Sequence, residues 1–566
     1  MHNKGTEVIP VRVLKQTALE KNIPQKSALR EYLGTKDETS STPCSRKAPK
    51  YQSLGSKSNK ALSVLLVLPP MCMYEGAVKR LIPPLGLCYI AANLLKFNHK
   101  VDILDCIVEG YNTETLIAPK IYRLGITETE FAARIKNSEH DVICFSMIYS
   151  SDIDNLYQYA KIVKQVASEK IVVAGGMHAS IYPERFIKDA GYYNDKPIID
   201  FVIRGEGEFR LIELIKDLQQ GRVNVHSDGL VGWSEDELFI NPQYEQIQDL
   251  DDLPFPAYHK LPLEKYFHHN VPFSPYPRGN RVMQIYTSRG CPIGCTFCSS
   301  TNFNKAYRGR SVENVIEEIK YYQKKYGIDE IQFADDNLTF DKKRSIALFN
   351  ELEKLNIKWC TPNGIMLNTL DEQVLDAMIR SGLYQITLSL DSGNADTLKE
   401  KHRKPVKLQR VPILMDYLQK REILMHGTLV VGMPGETIEE IEKGFKYVEK
   451  LPFNSINVFI AQALPGSELF EVSLQNGSIS YEGSLYIDTA QSTLKLTDID
   501  GSTLERIVEA FLDDYNQKIY QRDPVAWKKK YKEHQARMST ICIGKASANT
   551  ASIIKANNDQ AKTVCA

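Results

Sequence analysis

The feature that most constrains this chain is a repeated alternation of short apolar runs with amphipathic stretches. The first block begins at Ala61 and contains the runs ALSVLLVL, KVDILDC, DVICFSM, KIVVAGG and DFVIRG. Continuous apolar strands that alternate with helices are typical of a parallel sheet covered on both faces. Helical spacing of apolar residues predicts helices from Asp152 to Ala167 and from Glu208 to about Gln219. We therefore expect a doubly wound, Rossmann-like α/β domain over residues 58–222.

The alternation pauses and then starts again. Residues 223–275 contain a hairpin signal, Gly229 to Asn241, followed by a proline-rich linker. Over residues 276–470, helical patterns alternate with the strand candidates RVMQIYTS, EIQFADD, KWCTPNGI, YQITLSLD, HGTLVVGM and SINVFIAQAL. Six successive βα units suit a partial (β/α)6 barrel better than an open sheet, and chemistry in such a barrel lies at the carboxyl ends of the strands.

The two ends of the chain differ from these blocks. Residues 1–57 are polar without a sustained apolar period and are predicted to form an N-terminal arm. Residues 471–539 predict a helical region interrupted at Pro524, and residues 540–566 predict a disordered tail.

Charge and composition restrict the partners. Lysines plus arginines number 70, as do aspartates plus glutamates, so the chain as a whole has no basic footprint for nucleic acid or for an anionic membrane. No apolar run approaches membrane-spanning length, and the N-terminus lacks the pattern of an export signal. We expect a cytoplasmic protein that binds neither nucleic acid nor membrane.

Three cysteines form the one tight group among eleven. Cys291, Cys295 and Cys298 follow the first barrel strand in the segment YTSRGCPIGCTFCSS, where Gly290 and Gly294 allow tight turns. Thiolates suit zinc or an iron–sulfur cluster. A structural zinc site requires a fourth ligand nearby, which this segment lacks. We therefore expect an iron–sulfur cluster in which one iron is left open to bind and activate another molecule.

This cysteine spacing, with aromatic Phe297 before the last cysteine, resembles the signature of the radical S-adenosylmethionine (SAM) superfamily. The resemblance implies a [4Fe-4S] cluster whose open iron binds SAM and whose electron cleaves it to a 5′-deoxyadenosyl radical. It also implies SAM contacts at the ends of later strands, with Asp336 near the amine. The residues implied as SAM contacts are Phe297, Asp336, Asp391, Ser392, Gly432 and Pro434. The alternative is that these segments are ordinary strand-to-helix turns with capping acids.

The front domain resembles the cobalamin-binding domains of the B12-dependent branch of the same superfamily. Ser146 ends the third strand in the manner of their S-x-L element, and Gly175 and Gly176 end the fourth like their diglycine element. The resemblance places His178 toward the nucleotide tail of cobalamin. The D-x-H-x-x-G element is absent, so we expect no histidine on cobalt. A nicotinamide domain and a tRNA methylthiotransferase fit poorly, since the required glycine pattern and second cysteine triad are missing.

The combination is similar to class B radical SAM methyltransferases. That family implies transfer of a methyl group from methylcobalamin to an unactivated carbon of a small-molecule substrate, here a secondary metabolite or phosphonate-like compound, and an external electron donor such as flavodoxin or ferredoxin. The alternatives are a B12-dependent radical SAM cyclase or ring-rearranging enzyme without net methyl transfer, and a cobalamin-binding sensor or carrier.

A basic cluster follows the triad. Lys305, Arg308 and Arg310 could hold a phosphonate or a nucleotide phosphate, because guanidinium groups bind such oxyanions bidentately. The simpler interpretation, which we favour, is a solvated cluster at the start of a helix.

Overall fold

The computed structural model describes residues 62–147, 149–234, 237–274, 277–303, 306–479 and 497–522. The predictions for the N-terminal arm, Pro524 and the tail lie outside these residues, as do Ile148 and Lys305. Within the described ranges, no helix is both long enough and apolar enough to cross a membrane.

The front domain is a doubly wound sheet, as predicted. Its five parallel strands lie in the spatial order second, first, third, fourth, fifth. In chain order they are Val64–Leu68, Val101–Asp105, Val142–Met147, Ile171–Gly176 and Phe201–Ile203. In a sheet of this order, ligands bind beyond the carboxyl ends of the strands, where the order reverses.

Helices cover the sheet and a hairpin extends it. The hairpin strands Leu230–Ser234 and Glu237–Ile240 add antiparallel to the fifth strand, so the sheet continues past residue 222. The helices of this domain are Leu85–Lys96, Cys106–Glu109, Glu128–Lys136, Ile153–Val166, Met177–Ile181, Pro183–Asp189 and Gly207–Gln219. The helices predicted from Asp152 and Glu208 therefore form within one residue of their expected starts.

Two small antiparallel sheets of the front domain were not predicted from the sequence. Met71–Tyr74, Glu114–Ala118 and Ile121–Leu124 form a three-stranded sheet, and Tyr192–Tyr193 pairs with Lys196–Pro197. The first of them begins shortly after the first parallel strand, so it lies beside the edge where ligands of such domains bind.

Six parallel strands in unbroken chain order form the second domain. They are Val282–Ile285, Glu330–Phe333, Lys358–Ile365, Leu383–Asp391, Leu424–Val431 and Ser455–Ile460. The helices around them are Ser300–Phe303, Val312–Tyr326, Lys342–Glu353, Glu372–Arg380, Val411–Gln419 and Ile438–Val448. Because the first and last strands do not pair within the described residues, the barrel is the partial (β/α)6 form that the sequence predicts.

Three further helices complete the described chain. Leu263–His269 belongs to the linker, and Glu468–Gln475 and Gly501–Arg522 follow the barrel. The last helix packs on the barrel: the Phe511 ring stacks on Phe445 with centroids 3.9 Å apart, and the Tyr515 hydroxyl donates to the Leu451 carbonyl over 2.6 Å. The C-terminal helix is therefore part of the barrel's core.

We expect Phe511→Ala to lower the free energy of unfolding by about 3 to 5 kcal/mol, because it removes a buried ring and leaves a cavity. The measurement is the urea dependence of unfolding. Glu509→Ala, on the exposed face of the same helix, is the matched control and should change stability by no more than about 0.5 kcal/mol. Equal effects of the two substitutions would contradict this packing.

Candidate functional site

The cysteine loop leaves the end of the first barrel strand and is tied to the opposite side of the barrel. Gly290 and Gly294 have φ of 91° and 79°, the left-handed region that the sequence assigned to glycine there. Thr296 donates its backbone N–H to the His402 carbonyl over 3.2 Å and its hydroxyl to the Lys401 carbonyl over 2.6 Å. The loop therefore bridges the first strand and the segment that follows the fourth.

The three thiols suit a cluster better than a single ion. In the part of the chain that the structure describes, no three His, Cys, Asp or Glu side chains surround one point that could hold a metal ion. The three cysteines are nevertheless close enough to influence one another electrostatically. Ligands of a four-iron cluster bind different irons, so they need not converge. Burial raises the pKa of Cys295 to about 12, so metal binding must drive its deprotonation.

Two carboxylates from the second barrel strand hold the start of the loop. Asp335 is buried and accepts hydrogen bonds from the Thr287 hydroxyl over 2.7 Å and the Ser288 hydroxyl over 2.5 Å. Asp336 is exposed and accepts the Gly290 N–H over 3.0 Å. The side chain predicted to bind the SAM amine thus also fixes the loop, and its contact with SAM stays a prediction.

Asn337, the next residue, belongs to the polar segment Asp335 to Asn337 that follows the second strand, but the sequence analysis singled out Asp336 instead. Its side-chain nitrogen lies 3.7 Å from the sulfur of Cys291. Its oxygen Oδ1 is buried and has no hydrogen-bond partner among the described residues. A buried acceptor without a donor beside a cluster cysteine is suited to an amine or hydroxyl of a bound molecule. No motif in the sequence distinguished this asparagine from its two acidic neighbours.

The end of the fourth strand carries a buried ion pair. Asp391 has φ of 61°, uncommon for a residue other than glycine, and pairs with Lys404. Burial opposes the charge on Lys404, but Asp391 and Cys295 outweigh it and raise the lysine pKa. Ser392 is buried and accepts the Asn394 N–H over 3.1 Å. Lys404 is a charged neighbour of the thiols that the sequence analysis missed.

The fifth strand ends in a turn closed by a glutamate. Gly432 has φ of 80°, and its N–H and that of Met433 donate to Glu436 over 2.7 and 3.1 Å. Burial raises the Glu436 pKa to about 7. Pro434 is half-buried between these residues. The sequence predicted the backbone turn but gave Glu436 no role.

Phe297 packs against a histidine rather than facing solvent. Its ring lies edge-on to His402 with centroids 5.4 Å apart. His402 is fully buried, neither ring nitrogen has a partner among the described residues, and burial lowers its pKa to about 4. The ring is therefore neutral and adds no charge beside the thiols.

The residues assigned to cobalamin lie at the carboxyl edge of the front sheet. Ser146 pairs with Gly175 and Met147 with Gly176. Gly176 has φ of 111°, and a Cβ there would lie 2.0 Å from the Met147 carbonyl oxygen, so the backbone itself requires this glycine. The aromatic Tyr149, just beyond the third strand, is 46% exposed. An uncovered ring at this edge fits a large planar cofactor.

His178 is a buried hydrogen-bonded side chain. Its Nδ1 lies 2.8 Å from the Ser150 hydroxyl, and burial lowers its pKa to about 4. Its helix, Met177–Ile181, contacts the helix Ser300–Phe303, which begins two residues after Cys298. The structure therefore brings the diglycine edge of the front domain next to the cysteine loop.

The two described arginines of the basic cluster, Arg308 and Arg310, are neither solvated nor open to a substrate. Arg308 is buried and pairs with Glu206 over 2.8 Å, and Arg310 is buried and pairs with Glu318 over 2.5 Å. Both interpretations of these two arginines from the sequence were wrong, because carboxylates distant in the chain occupy them.

Comparisons with known proteins match both domains. The description of the Radical SAM superfamily fits residues 285–448 and that of the B12 binding domain fits residues 74–215. The cytidylyl-2-hydroxyethylphosphonate methyltransferase of Streptomyces wedmorensis is 33% identical over 80% of this chain and 90% of its own length. An uncharacterized methyltransferase of Pyrococcus horikoshii is 32% identical over 81% of this chain and 93% of its own.

The fold is also that of a solved methyltransferase. The radical SAM methyltransferase TsrM of Kitasatospora setae, with cobalamin and a [4Fe-4S] cluster bound, superimposes with a TM-score of 0.58 at 16% identity, over 75% of this chain and 80% of TsrM. Both domains and their order agree with the sequence predictions. The chain belongs to the cobalamin-dependent radical SAM methyltransferases.

Proposed function

We propose that this methyltransferase acts on an unactivated carbon of a small secondary metabolite or phosphonate-like compound. The contact between the helix after the diglycine and the helix after the cysteine loop supports the proposal, because it brings the edge expected to bind the methyl donor next to the loop expected to bind the source of the radical. When bound, the cluster and SAM supply a hydrogen-abstracting radical and cobalamin supplies the methyl group. The phosphonate-like substrate rests on the similarity to the phosphonate methyltransferase.

In this proposal the chain's own residues bind and orient. Cys291, Cys295 and Cys298 hold the cluster and leave one iron for SAM. Asp336 and the Asn337 oxygen, which has no partner among the described residues, would bind the SAM amine, and the turn from Gly432 to Pro434 would bind the adenine. Since an unactivated carbon offers no acidic proton, the protein's contribution is alignment and exclusion of water rather than acid–base catalysis.

The electron that opens SAM comes from a small redox protein, flavodoxin or ferredoxin, and the enzyme works in the cytoplasm. A reducing compartment is supported by the eight cysteines among the described residues, none of which is joined to another by a disulfide. Reconstituted protein that cleaves SAM with dithionite but never with flavodoxin or ferredoxin would overturn the choice of donor.

Replacement of Cys291, Cys295 or Cys298 by alanine should abolish cleavage of SAM to 5′-deoxyadenosine, because each thiolate holds one iron. The measurement is anaerobic product analysis with dithionite, alongside iron content. Cys360→Ala, at a buried thiol inside the barrel, is the matched control and should retain cleavage. With a phosphonate-like substrate, S-adenosylhomocysteine should form together with 5′-deoxyadenosine; 5′-deoxyadenosine alone would indicate ring chemistry instead.

The lower face of cobalt carries no histidine in this proposal. Three histidines occur between residues 62 and 222, and two of them, His99 and His140, lie before the amino ends of strands, away from the cofactor edge. The third, His178, is hydrogen-bonded to Ser150. The electron paramagnetic resonance (EPR) spectrum of bound cob(II)alamin should therefore lack nitrogen splitting from an imidazole, and His178→Ala should leave it unchanged. Splitting that disappears in His178→Ala would assign the ligand to His178.

Glu436 should make stability fall as pH rises. A carboxyl with a pKa of about 7 in the folded chain binds its proton more tightly there than in the unfolded chain, so stability is lost between about pH 4.5 and about pH 7. Relative to Glu436→Gln, the native chain should lose about 2 kcal/mol of unfolding free energy over this interval. Glu440→Gln is the control. Backbone hydrogen bonding lowers the Glu440 pKa, so Glu440 does not cause the fall in stability, and the variant, which keeps Glu436, should still lose stability between about pH 4.5 and about pH 7.

A further inference from the structure

Two glutamates of the front domain, Glu206 and Glu208, form ion pairs with the largely buried Arg289 at the start of the cysteine loop. We propose that Glu206, Glu208, Arg289 and Arg308 form an ion clamp that fixes the distance between the cobalamin-binding domain and the cluster, with Glu208 and Arg289 as positioning residues for methyl transfer. The inference rests on the proposed cofactor arrangement and adds the device that maintains it.

The clamp is a set of short, buried, charge-assisted hydrogen bonds. Arg289 donates to Glu206 over 2.8 Å and to Glu208 over 2.7 Å. Arg308 donates to both oxygens of Glu206, over 2.8 and 3.0 Å. The side chains are between 6% and 13% exposed. Removing one partner of such a buried pair leaves an uncompensated charge, so this contact between the domains tolerates little displacement.

Arg289 and Arg308 lie opposite each other in a two-stranded ribbon, so their like charges require a carboxylate, which the front domain supplies. Ser288–Arg289 pairs antiparallel with Arg308–Gly309, and Arg289 lies directly opposite Arg308. Like charges directly across a strand pair destabilise it. Glu206 supplies an oxygen to each guanidinium, and these arginines lower its pKa despite burial, so it stays charged. The ribbon that leads into the cysteine loop is thus completed by a carboxylate from the cobalamin-binding domain.

The clamp acts at the base of the loop. Arg289 lies two residues before Cys291, and its neighbours Thr287 and Gly290 are bonded to Asp335 and Asp336 of the barrel. Glu206 lies between the fifth front strand and its helix, and Glu208 lies in the first turn of that helix, at the edge where cobalamin domains bind their ligand. A rigid path of few residues therefore joins the two cofactor positions.

Because the clamp lies between the two domains, its loss should affect two reactions differently. SAM cleavage to 5′-deoxyadenosine requires only the barrel and its cysteine loop, whereas methyl transfer from SAM to cobalamin, which releases S-adenosylhomocysteine, requires both domains in alignment. A misplacement of about 1 Å costs on the order of 100-fold in an aligned reaction. Loss of the clamp should therefore uncouple the two reactions instead of reducing them together.

The experiment uses full-length protein reconstituted with cluster and cobalamin. Glu208→Gln and Arg289→Gln should reduce S-adenosylhomocysteine formation by about 10- to 100-fold and keep 5′-deoxyadenosine formation within about twofold of the native chain. The double variant should be no worse than Arg289→Gln alone, because the Glu208 side chain acts through Arg289. Glu109→Gln is the matched control: Glu109 pairs with Lys265 of the linker, away from the cysteine loop, and its loss should change neither product.

A second readout does not depend on activity. The magnetic coupling between the reduced cluster and cob(II)alamin, measured by EPR, reports their separation; it should be single-valued in the native chain and in Glu109→Gln, and altered in Glu208→Gln. Unchanged coupling in Glu208→Gln, or equal loss of both products, would overturn the clamp. A native chain that forms no S-adenosylhomocysteine yet shows coupling that Glu208→Gln alters would overturn the proposed methyl transfer and leave the clamp standing.

Discussion

Four carboxylates, three of them buried, hold the cysteine loop, and the relation between the two domains depends on them. Asp335 and Asp336 bind its first residues from the barrel, while Glu206 and Glu208 bind Arg289 from the front domain. Burying a charge is costly unless it is paired and hydrogen-bonded. Each of the three buried acids, Asp335, Glu206 and Glu208, therefore requires its partner on the loop, and the loop becomes the element that both domains position.

Local periodicity was sufficient to predict the framework around this loop. The strand predicted as KWCTPNGI forms as Lys358–Ile365. The helix Val312–Tyr326 is capped by Ser311, whose hydroxyl accepts the Asn314 N–H over 3.1 Å. Apolar runs, caps and left-handed glycines are decided by a few neighbouring residues, which a sequence displays directly. The cysteine triad could be interpreted for the same reason, since its spacing is local.

The partners of charged side chains could not be predicted, because they come from distant parts of the chain. Arg308 and Glu206 are separated by 102 residues, and nothing near Arg308 in sequence distinguishes a buried pair from an open anion site. Asn337 and Lys404 could be recognised as site residues only from the folded structure, where they lie near Cys291 and Cys295. Gly176 shows a related limit: its place in a cofactor motif was expected, but the nearby Met147 carbonyl gives it a purely structural reason.

These pairings bear on how a substrate is recognised. Because Arg308 and Arg310 are committed to Glu206 and Glu318, the guanidinium groups next to the cysteine loop cannot also hold an anionic substrate. His178 and His402, buried on either side of the domain contact, are neutral because burial lowers their pKa to about 4. The surroundings of the loop are therefore nearly balanced in charge, which favours a cofactor site whose geometry, rather than its net charge, directs the reaction.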